Sequence, residues 1–265
     1  MSETVGAILA GGLGTRLRSV VSDRPKVLAT VRGRPFLACL LEQLAEAGMR
    51  RVVLLTGYRG EQIADEFGDS FQGLQLEYSA ETSPLGTAGA LRLAFRKLFP
   101  ETAAGAAATA DNVLLMNGDS YCAADLSAFR AFHSGHVALA SLVLTHVPDT
   151  SRFGRVETTG DRIERFLEKQ AASGSGWINA GIYLIDCKLL AEIAEDRAVS
   201  IEREMFPAWT SRGILHGFRT ESAFLDIGTP ESYGAAEKFF AHELMSPTAQ
   251  DVNTKRGGGK WTCEK

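Results

Sequence analysis

The chain has 265 residues, of which 45% are hydrophobic, and a formal net charge of −4 at pH 7. This length allows one substantial buried core, and the acidic balance without a basic run argues against nucleic acid as a partner. No apolar run reaches the roughly 18 residues of a membrane span, and the amino terminus lacks a signal pattern, so we expect a cytoplasmic protein without a membrane partner.

The first predicted elements are a buried strand at residues 5–9 and a glycine-rich loop after it. Gly11, Gly12 and Gly14 let several backbone amides converge on phosphate oxygens, while Arg16 and Lys26 add positive charge. The spacing lacks the Gly-Lys-Ser/Thr of a Walker loop and the third glycine of a dinucleotide fingerprint. The pattern predicts a polyphosphate site, and the alternative is an ordinary strand-to-helix loop.

Apolar strands and amphipathic helices then alternate. Apolar residues at helical spacing predict a helix from residue 34 to a stop at Gly48, and further helices are predicted at 61–67 and 87–98. Strands are predicted at 51–55, 74–79 and 113–116. This alternation indicates an α/β fold with a mainly parallel sheet covered by helices on both faces. Ligands bind such sheets at the carboxyl ends of the strands.

Two motifs follow predicted strands. Residues 81–89 contain Gly86, which permits close backbone approach, and Thr87, which alternatively caps the next helix. Asp119, directly after the strand at 113–116, is placed to hold a divalent cation, although an Asx turn also suits an aspartate.

The second half of the chain is predicted to contain a strand at 137–147 and a hairpin formed by 155–157 and 162–166. Thr229 followed by Pro230 predicts a helix start, which leaves Asp226 unexplained. A terminal helix to about residue 244 is expected, and then a disordered polar tail. We interpret His133 and His136 as part of a solvated helix end rather than as ligands of a zinc site. The four separated cysteines are expected to be reduced structural thiols.

These motifs, in this order from about Val5 to Phe240, resemble the sugar-phosphate nucleotidyltransferases, also called nucleotide-sugar pyrophosphorylases. The resemblance implies a Rossmann-like, glycosyltransferase-A-like fold with one domain over residues 1–245 and a tail at 246–265. It also implies a nucleotide-binding half at about 1–120 and a sugar-binding half at about 121–245.

By the same resemblance, most functional residues fall on the motifs above. The implied nucleotide contacts are Leu9, Ala10, Gly11, Gly12, Gly14, Thr15, Arg16, Glu81, Gly86, Thr87 and Asp119. The implied sugar-phosphate contacts are Lys26, Gly154, Glu168, Lys169 and Asn179. Asp119 and Asp226 are implied to share one Mg²⁺, and the implied catalytic residues are Arg16, Lys26, Asp119, Lys169 and Asp226.

The resemblance is strongest to the branch that uses D-glycero-α-D-manno-heptose 1-phosphate. It implies transfer of GMP from GTP to that sugar phosphate, giving GDP-heptose and pyrophosphate for polysaccharide biosynthesis. The expected partners are therefore a nucleoside triphosphate and a sugar 1-phosphate. Alternatives are a mannose 1-phosphate guanylyltransferase, a glucose 1-phosphate nucleotidyltransferase and a non-catalytic nucleotide-sugar sensor. An NAD-dependent dehydrogenase is weakened by the missing third glycine. The sequence leaves a homo-oligomer open.

Overall fold

A ten-stranded mixed sheet forms the centre of the computed structural model, which describes residues 4–12, 14–100, 111–136, 138–167, 174–195 and 197–243. The strands are β1 (Thr4–Ala10), β2 (Thr30–Val31), β3 (Arg34–Pro35), β4 (Arg51–Thr56), β5 (Ser70–Phe71), β6 (Leu74–Ala80), β7 (Asn112–Asn117), β8 (Ser120–Cys122), β9 (Ala140–Val147), β10 (Arg155–Thr159), β11 (Arg162–Leu167), β12 (Gly176–Asp186), β13 (Leu215–Thr220) and β14 (Phe224–Asp226).

Helices cover the sheet or connect its strands. They are α1 (Phe36–Glu46), α2 (Gly60–Phe67), α3 (Gly86–Leu93), α4 (Phe95–Leu98), α5 (Leu126–Gly135), α6 (Cys187–Ala191), α7 (Phe206–Ser211) and α8 (Pro230–Glu243). A 3₁₀ turn spans Lys26–Leu28, and a π-helical turn spans Ile201–Met205. Among the described helices, none is both long and apolar enough to cross a membrane.

The large sheet has the order β10-β11-β13-β9-β12-β7-β1-β4-β6-β5. In one half, the neighbouring strands β7, β1, β4 and β6 are all parallel. In the other half, β12 runs antiparallel to both β7 and β9, and β10 and β11 form the predicted antiparallel hairpin. The α/β class is confirmed, and the antiparallel insertion of β12 is a feature that the strand-helix alternation did not predict.

Two apolar clusters lie on opposite faces of this sheet because successive side chains of each strand point to opposite faces. On β1, Ile8 belongs to one cluster, whereas Val5 and Ala7 belong to the other. On β7, Met116 belongs to the same cluster as Ile8, and Leu115 belongs to the other. Burial on both faces explains why the predicted strands are continuous apolar runs.

Several helix boundaries follow from capping. Asp125 Oδ1 accepts hydrogen bonds from Ser127 N and Ala128 N, each at 2.9 Å, at the start of α5. Thr229 Oγ1 accepts from Ser232 N at 3.2 Å, which confirms the predicted start of the last helix.

Two local predictions need correction. The helix predicted at 87–98 is divided into α3 and α4, and it begins at Gly86, so Thr87 is not its cap. His133 is not solvated: it is 6% exposed, its Nδ1 lies 2.9 Å from Ser141 Oγ, and burial lowers its pKa. The expectation for Cys39 needs no correction: it is a free cysteine, and burial raises the pKa of its thiol to about 11, which keeps the thiol neutral at pH 7.

Candidate active site

The glycine-rich loop leaves the carboxyl end of β1 and is held there by the chain that follows β7. Gly118 N donates to Leu9 O at 3.0 Å, and a Cβ at position 118 would lie only 2.2 Å from that oxygen. Only glycine therefore allows residues 118–119 to lie directly against the loop. This close approach positions Asp119 beside the predicted phosphate site.

The loop itself packs on the predicted phosphate cation Lys26. Gly14 has a φ of +58°, and a Cβ there would lie 3.3 Å from Lys26 Cβ. Gly12, Thr15 and Arg16 are exposed, and Arg16 makes no ion pair with any residue that the structure describes. These groups remain accessible to an anionic ligand.

Positive side chains extend beyond the predicted ones. A surface depression next to Gly14 and Lys26 is lined by Arg18, Arg24 and the Tyr58 ring, over which the Arg18 guanidinium lies at 5.1 Å. Arg24 is itself bonded to Asp23. The loop therefore lies in a locally cationic surface of an acidic chain, which favours phosphate binding.

The ends of three neighbouring strands converge on the Glu81 carboxylate. Cβ atoms built at Gly11, after β1, and at Gly57, after β4, would lie 3.1 Å and 2.9 Å from Glu81 Oε1. Glu81 Oε2 accepts a hydrogen bond from Leu85 N at 3.0 Å. The structure thus brings the predicted nucleotide contacts Ala10, Gly11 and Glu81 to the same edge of the sheet.

A two-stranded ribbon brings the two predicted metal-binding aspartates together. Strand β14 pairs antiparallel with β8, with Asp226 opposite Ser120, and Ile227 N donates to Asp119 O at 2.9 Å. Asp119 and Asp226 come from positions about a hundred residues apart, yet this register brings their backbones next to each other.

Cations already surround this carboxylate pair. Lys26 Nζ lies 2.7 Å from Asp119 Oδ2, with the Lys26 side chain only 12% exposed. Arg152 Nη2 lies 3.8 Å from Asp226 Oδ1, an atom that also accepts from Gly228 N at 2.8 Å. Arg152 was not predicted as a site residue, although it lies two residues before the predicted contact Gly154.

The donor set fits a hard divalent cation that takes part of its coordination from substrate. Asp119 and Asp226 offer carboxylate oxygens, which Mg²⁺ prefers. Within the described ranges, no group of three or more His, Cys, Asp or Glu side chains is arranged to hold a metal ion. A cation here would therefore need phosphate or water oxygens as further ligands, which is the usual mode for Mg²⁺ at phosphate-transfer sites.

The Gly86-Thr87 stretch is covered by a segment that contains none of the predicted site residues. This segment, residues 197–205 with residue 196 outside the described part, packs on the start of α3. Val199 O accepts from Ala88 N at 3.0 Å, and a Cβ at Gly86, whose φ is +74°, would lie 2.5 Å from that oxygen. Thr87 Oγ1 accepts from Ile201 N at 2.8 Å and donates to Glu202 Oε2 at 2.9 Å. The Thr87 hydroxyl is therefore engaged within the protein.

The sequence does contain a helix-capping pattern for this segment, but its two residues are spaced differently from the usual pattern. Ser200 caps the π-helical turn, with its side chain accepting from Arg203 N, and Glu204 Oε1 accepts from Ser200 N at 3.1 Å. This is a reciprocal cap with serine and glutamate four residues apart, because the wider turn adds one residue to the usual spacing of three.

Asn179 lies half-buried at a bulge of β12, in contact with the buried Tyr183. The pairing of β12 with β9 shifts between Asn179 and Tyr183. Asn179 Nδ2 donates to Tyr183 Oη at 3.0 Å, and Asn179 Oδ1 accepts from Gly181 N at 2.9 Å. Burial raises the pKa of Tyr183 well above its usual range, and the nearby charge of Glu202 adds to this effect.

The remaining predicted sugar-phosphate residues divide into two groups. Gly154 is buried with a φ of +81°, next to Phe153, which packs on Phe224 of β14 with 5.5 Å between ring centroids. Gly154 thus lies in the same neighbourhood as Asp226. Glu168 and Lys169 lie outside the described residues, as do the alanine-rich stretch at 101–110 and the predicted tail at 246–265.

Comparison with known proteins places this arrangement in a family. The pattern of the family described as Nucleotidyl transferase matches residues 5–243. A D-glycero-alpha-D-manno-heptose 1-phosphate guanylyltransferase of Aneurinibacillus thermoaerophilus is 36% identical over 89% of this chain and 98% of its own length. A mannose-1-phosphate guanylyltransferase of Mycobacterium tuberculosis is 39% identical over 85% of this chain, which spans only 61% of that relative.

A solved structure agrees with these sequence relatives. HddC from Yersinia pseudotuberculosis, in a crystal structure complexed with GMP-PN, superposes with a TM-score of 0.75 at 30% identity, covering 91% of this chain and all of that one. The resemblance read from the motifs is confirmed by both kinds of comparison. This chain belongs to the nucleotidyl transferase family.

Proposed function

We propose that this chain transfers GMP from GTP to a sugar 1-phosphate and releases pyrophosphate, with D-glycero-α-D-manno-heptose 1-phosphate as the acceptor. The observation that carries the proposal is the β8/β14 pairing, which sets Asp119 beside Asp226 at the glycine-rich loop, with Lys26 against Asp119. Two carboxylates and a cation at the carboxyl ends of parallel strands suit the joining of two phosphates.

The relatives support the choice of both substrates. The Aneurinibacillus relative is named for the heptose phosphate and for guanylyl transfer, and this chain spans nearly all of it. The HddC structure contains a guanosine nucleotide analogue. The mycobacterial relative uses the same nucleotide class with mannose 1-phosphate, so mannose is the second candidate acceptor.

The reaction needs charge neutralisation and positioning more than a protein nucleophile. An oxygen of the sugar 1-phosphate attacks the α-phosphorus of GTP in line, and the bond from that phosphorus to the bridging oxygen breaks to release pyrophosphate. Lys26 is held beside Asp119, and we propose that it neutralises the incoming phosphates. Arg16, exposed at the loop, supports the leaving pyrophosphate, and Lys169 is proposed to hold the sugar phosphate.

A divalent metal completes this proposal. The nucleotidyl transferase family generally uses one, and we propose Mg²⁺ on Asp119 and Asp226. When bound there, it would neutralise negative charge on the nucleotide phosphates during transfer. Adding excess EDTA to an active sample is expected to stop turnover, and adding back Mg²⁺ is expected to restore it.

The same proposal assigns the two substrates to different parts of the chain. We propose a single domain over residues 1–245, with nucleotide contacts drawn from residues 1–120 and sugar contacts from residues 121–245. A cytoplasmic location is proposed because nucleoside triphosphates are available there, and cell fractionation tests it.

The direct experiment is pyrophosphate release with Mg²⁺ over a grid of four nucleoside triphosphates and the 1-phosphates of heptose, mannose, glucose and N-acetylglucosamine. A dominant signal with GTP and the heptose phosphate supports the full proposal. A dominant signal with GTP and mannose phosphate keeps guanylyl transfer and overturns the acceptor. GTP binding without pyrophosphate release for any acceptor would indicate a nucleotide-sugar sensor.

A further inference from the structure

Glu202, which was not among the predicted site residues, lies between the two halves of the proposed site. Its carboxylate accepts a hydrogen bond from Thr87, in the stretch proposed to contact the nucleotide. The segment that carries it also packs on Tyr183, the partner of Asn179 in the proposed sugar half, with 5.2 Å between the ring centroids of Tyr183 and the adjoining Phe206. The segment that carries Glu202 thus lies against both clusters.

The Glu202 carboxylate is fixed through one of its two oxygens. Thr87 Oγ1 and Ser200 Oγ both donate to Oε2, each at 2.9 Å. Among the residues that the structure describes, no group donates to Oε1, and this oxygen is not one of the buried unpartnered atoms. An oriented carboxylate with one accessible, unused oxygen is an acceptor for a donor group on a ligand.

The backbone that carries Glu202 is also held in place. Val199 N donates to Leu85 O at 2.8 Å, and Glu204 ties the segment to itself through Ser200 N and Arg197 Nη1, the latter at 2.6 Å. The π-helical turn Ile201–Met205 is a backbone form often found at functional sites. The oxygen is therefore preorganised, which is what selective recognition requires.

The surroundings of Glu202 identify the class of ligand. On the sugar side, its segment packs on Tyr183, whose hydroxyl accepts a hydrogen bond from the Asn179 amide. A carboxylate repels a phosphate but accepts strongly from a hydroxyl, because hydrogen bonds to a charged group are stronger than neutral ones. The matching part of a sugar 1-phosphate is its hydroxyl-bearing ring.

We infer that Glu202 Oε1 accepts a hydrogen bond from one hydroxyl of the sugar ring, so that Glu202 determines which sugar 1-phosphates are used. This inference rests on the proposed function and adds a specificity residue to it. Through Thr87, the same carboxylate connects the sugar position to the start of α3 on the nucleotide side.

The test combines E202A with sugar 1-phosphates that each lack one ring hydroxyl. E202A is expected to raise KM for the parent sugar 1-phosphate by about 10- to 100-fold and to change KM for GTP by less than about 3-fold. One deoxy analogue should cause a similar loss in the wild type but almost none in E202A, because the hydrogen bond is already gone. E202Q, which keeps an acceptor oxygen, should lose less than E202A.

The matched control is E192Q, which changes an exposed carboxylate that pairs with Arg212 outside this segment. It is expected to leave the response to every deoxy analogue as in the wild type. The inference is overturned if the losses from E202A and from every deoxy analogue simply multiply, or if E192Q reproduces the effect of E202A. A wild-type enzyme without turnover would instead overturn the proposed function.

Discussion

The two halves of the large sheet build their parts of the site in different ways. In the parallel half, β1, β4, β6 and β7 each end at the same edge, so residues that directly follow a strand meet there. In the half that contains β9 and β12, antiparallel pairing prevents this convergence, and a bulge at Asn179 positions the polar groups instead. The first half places its groups by topology, and the second half places them by local irregularity.

The largest effect should come from the carboxylates that join the halves. D119N and D226N are each expected to lower kcat by on the order of 10²- to 10³-fold, because charge stabilisation at the transferred phosphate is lost. The double variant should be little worse than either single one, since both act on one cation. Pyrophosphate release with saturating Mg²⁺ measures this.

D65N, which changes an exposed carboxylate on α2, serves as the control and should keep wild-type turnover. If D226N alone left turnover within a few-fold of the wild type, the parallel half would suffice for catalysis. The role proposed for the β8/β14 ribbon would then be wrong.

A somewhat smaller effect is expected for Lys26, which belongs wholly to the parallel half. K26M removes the cation 2.7 Å from Asp119, and we expect kcat/KM to fall by on the order of 10²-fold. K238M, at an exposed position of α8, is the matched control and should have no effect. Steady-state kinetics of both variants measure this. If K26M behaved like K238M, the catalytic role proposed for Lys26 would be wrong.

Close packing of the loop after β7 against β1 gives a stability prediction. G118A introduces a methyl group that would lie 2.2 Å from Leu9 O, so we expect a loss of about 1 to 3 kcal/mol in the free energy of unfolding. G234A, where a Cβ in α8 meets nothing within 4 Å, should instead stabilise by about 0.5 to 1 kcal/mol. Urea unfolding measures both, and equal behaviour of the two variants would contradict the packing argument.

The smallest effect concerns pH and lies in the half that contains β9. Burial lowers the pKa of His133 in the folded state below its ordinary value of 6.5, so the unfolded chain binds the proton more readily. The stability that depends on neutral His133 is present above pH 6.5 and decreases as the pH falls below it, by at most about 1.4 kcal/mol per pH unit.

H133N should flatten this part of the pH profile of the unfolding free energy. His216, whose pKa is also lowered by burial, would keep a weaker slope of the same sign. If the unfolding free energy of the wild type instead increased as the pH was lowered from 6.5 to 5, groups other than His133 would dominate the pH dependence.

The sequence predicted the parallel half well because each signal there is local. The run before Gly11 reads as a strand, and Asp119 stands directly after another strand. A carboxylate after a buried strand can be located without knowing its partners.

The other groups depend on contacts that no local pattern encodes. Without the family resemblance, the residues around Thr229 indicate only a helix start, and the importance of Asp226 follows from pairing with a strand about a hundred residues earlier. In the sequence, Tyr183 looks like one more apolar position of β12, and its hydrogen bond with Asn179 depends on the bulge. Glu202 was missed because its contacts to Thr87 cross between distant segments.

The pairing of β8 with β14 also has a consequence for folding. Because Ser120 must meet Asp226 across about a hundred residues of intervening chain, this contact carries a large loop-closure entropy and has a high sequence separation. A nascent chain that ends before Phe224 already contains every strand of the large sheet but lacks the second aspartate. Recovery of turnover during refolding therefore reports the arrival of the last short strand, whereas far-ultraviolet circular dichroism reports the sheet that receives it.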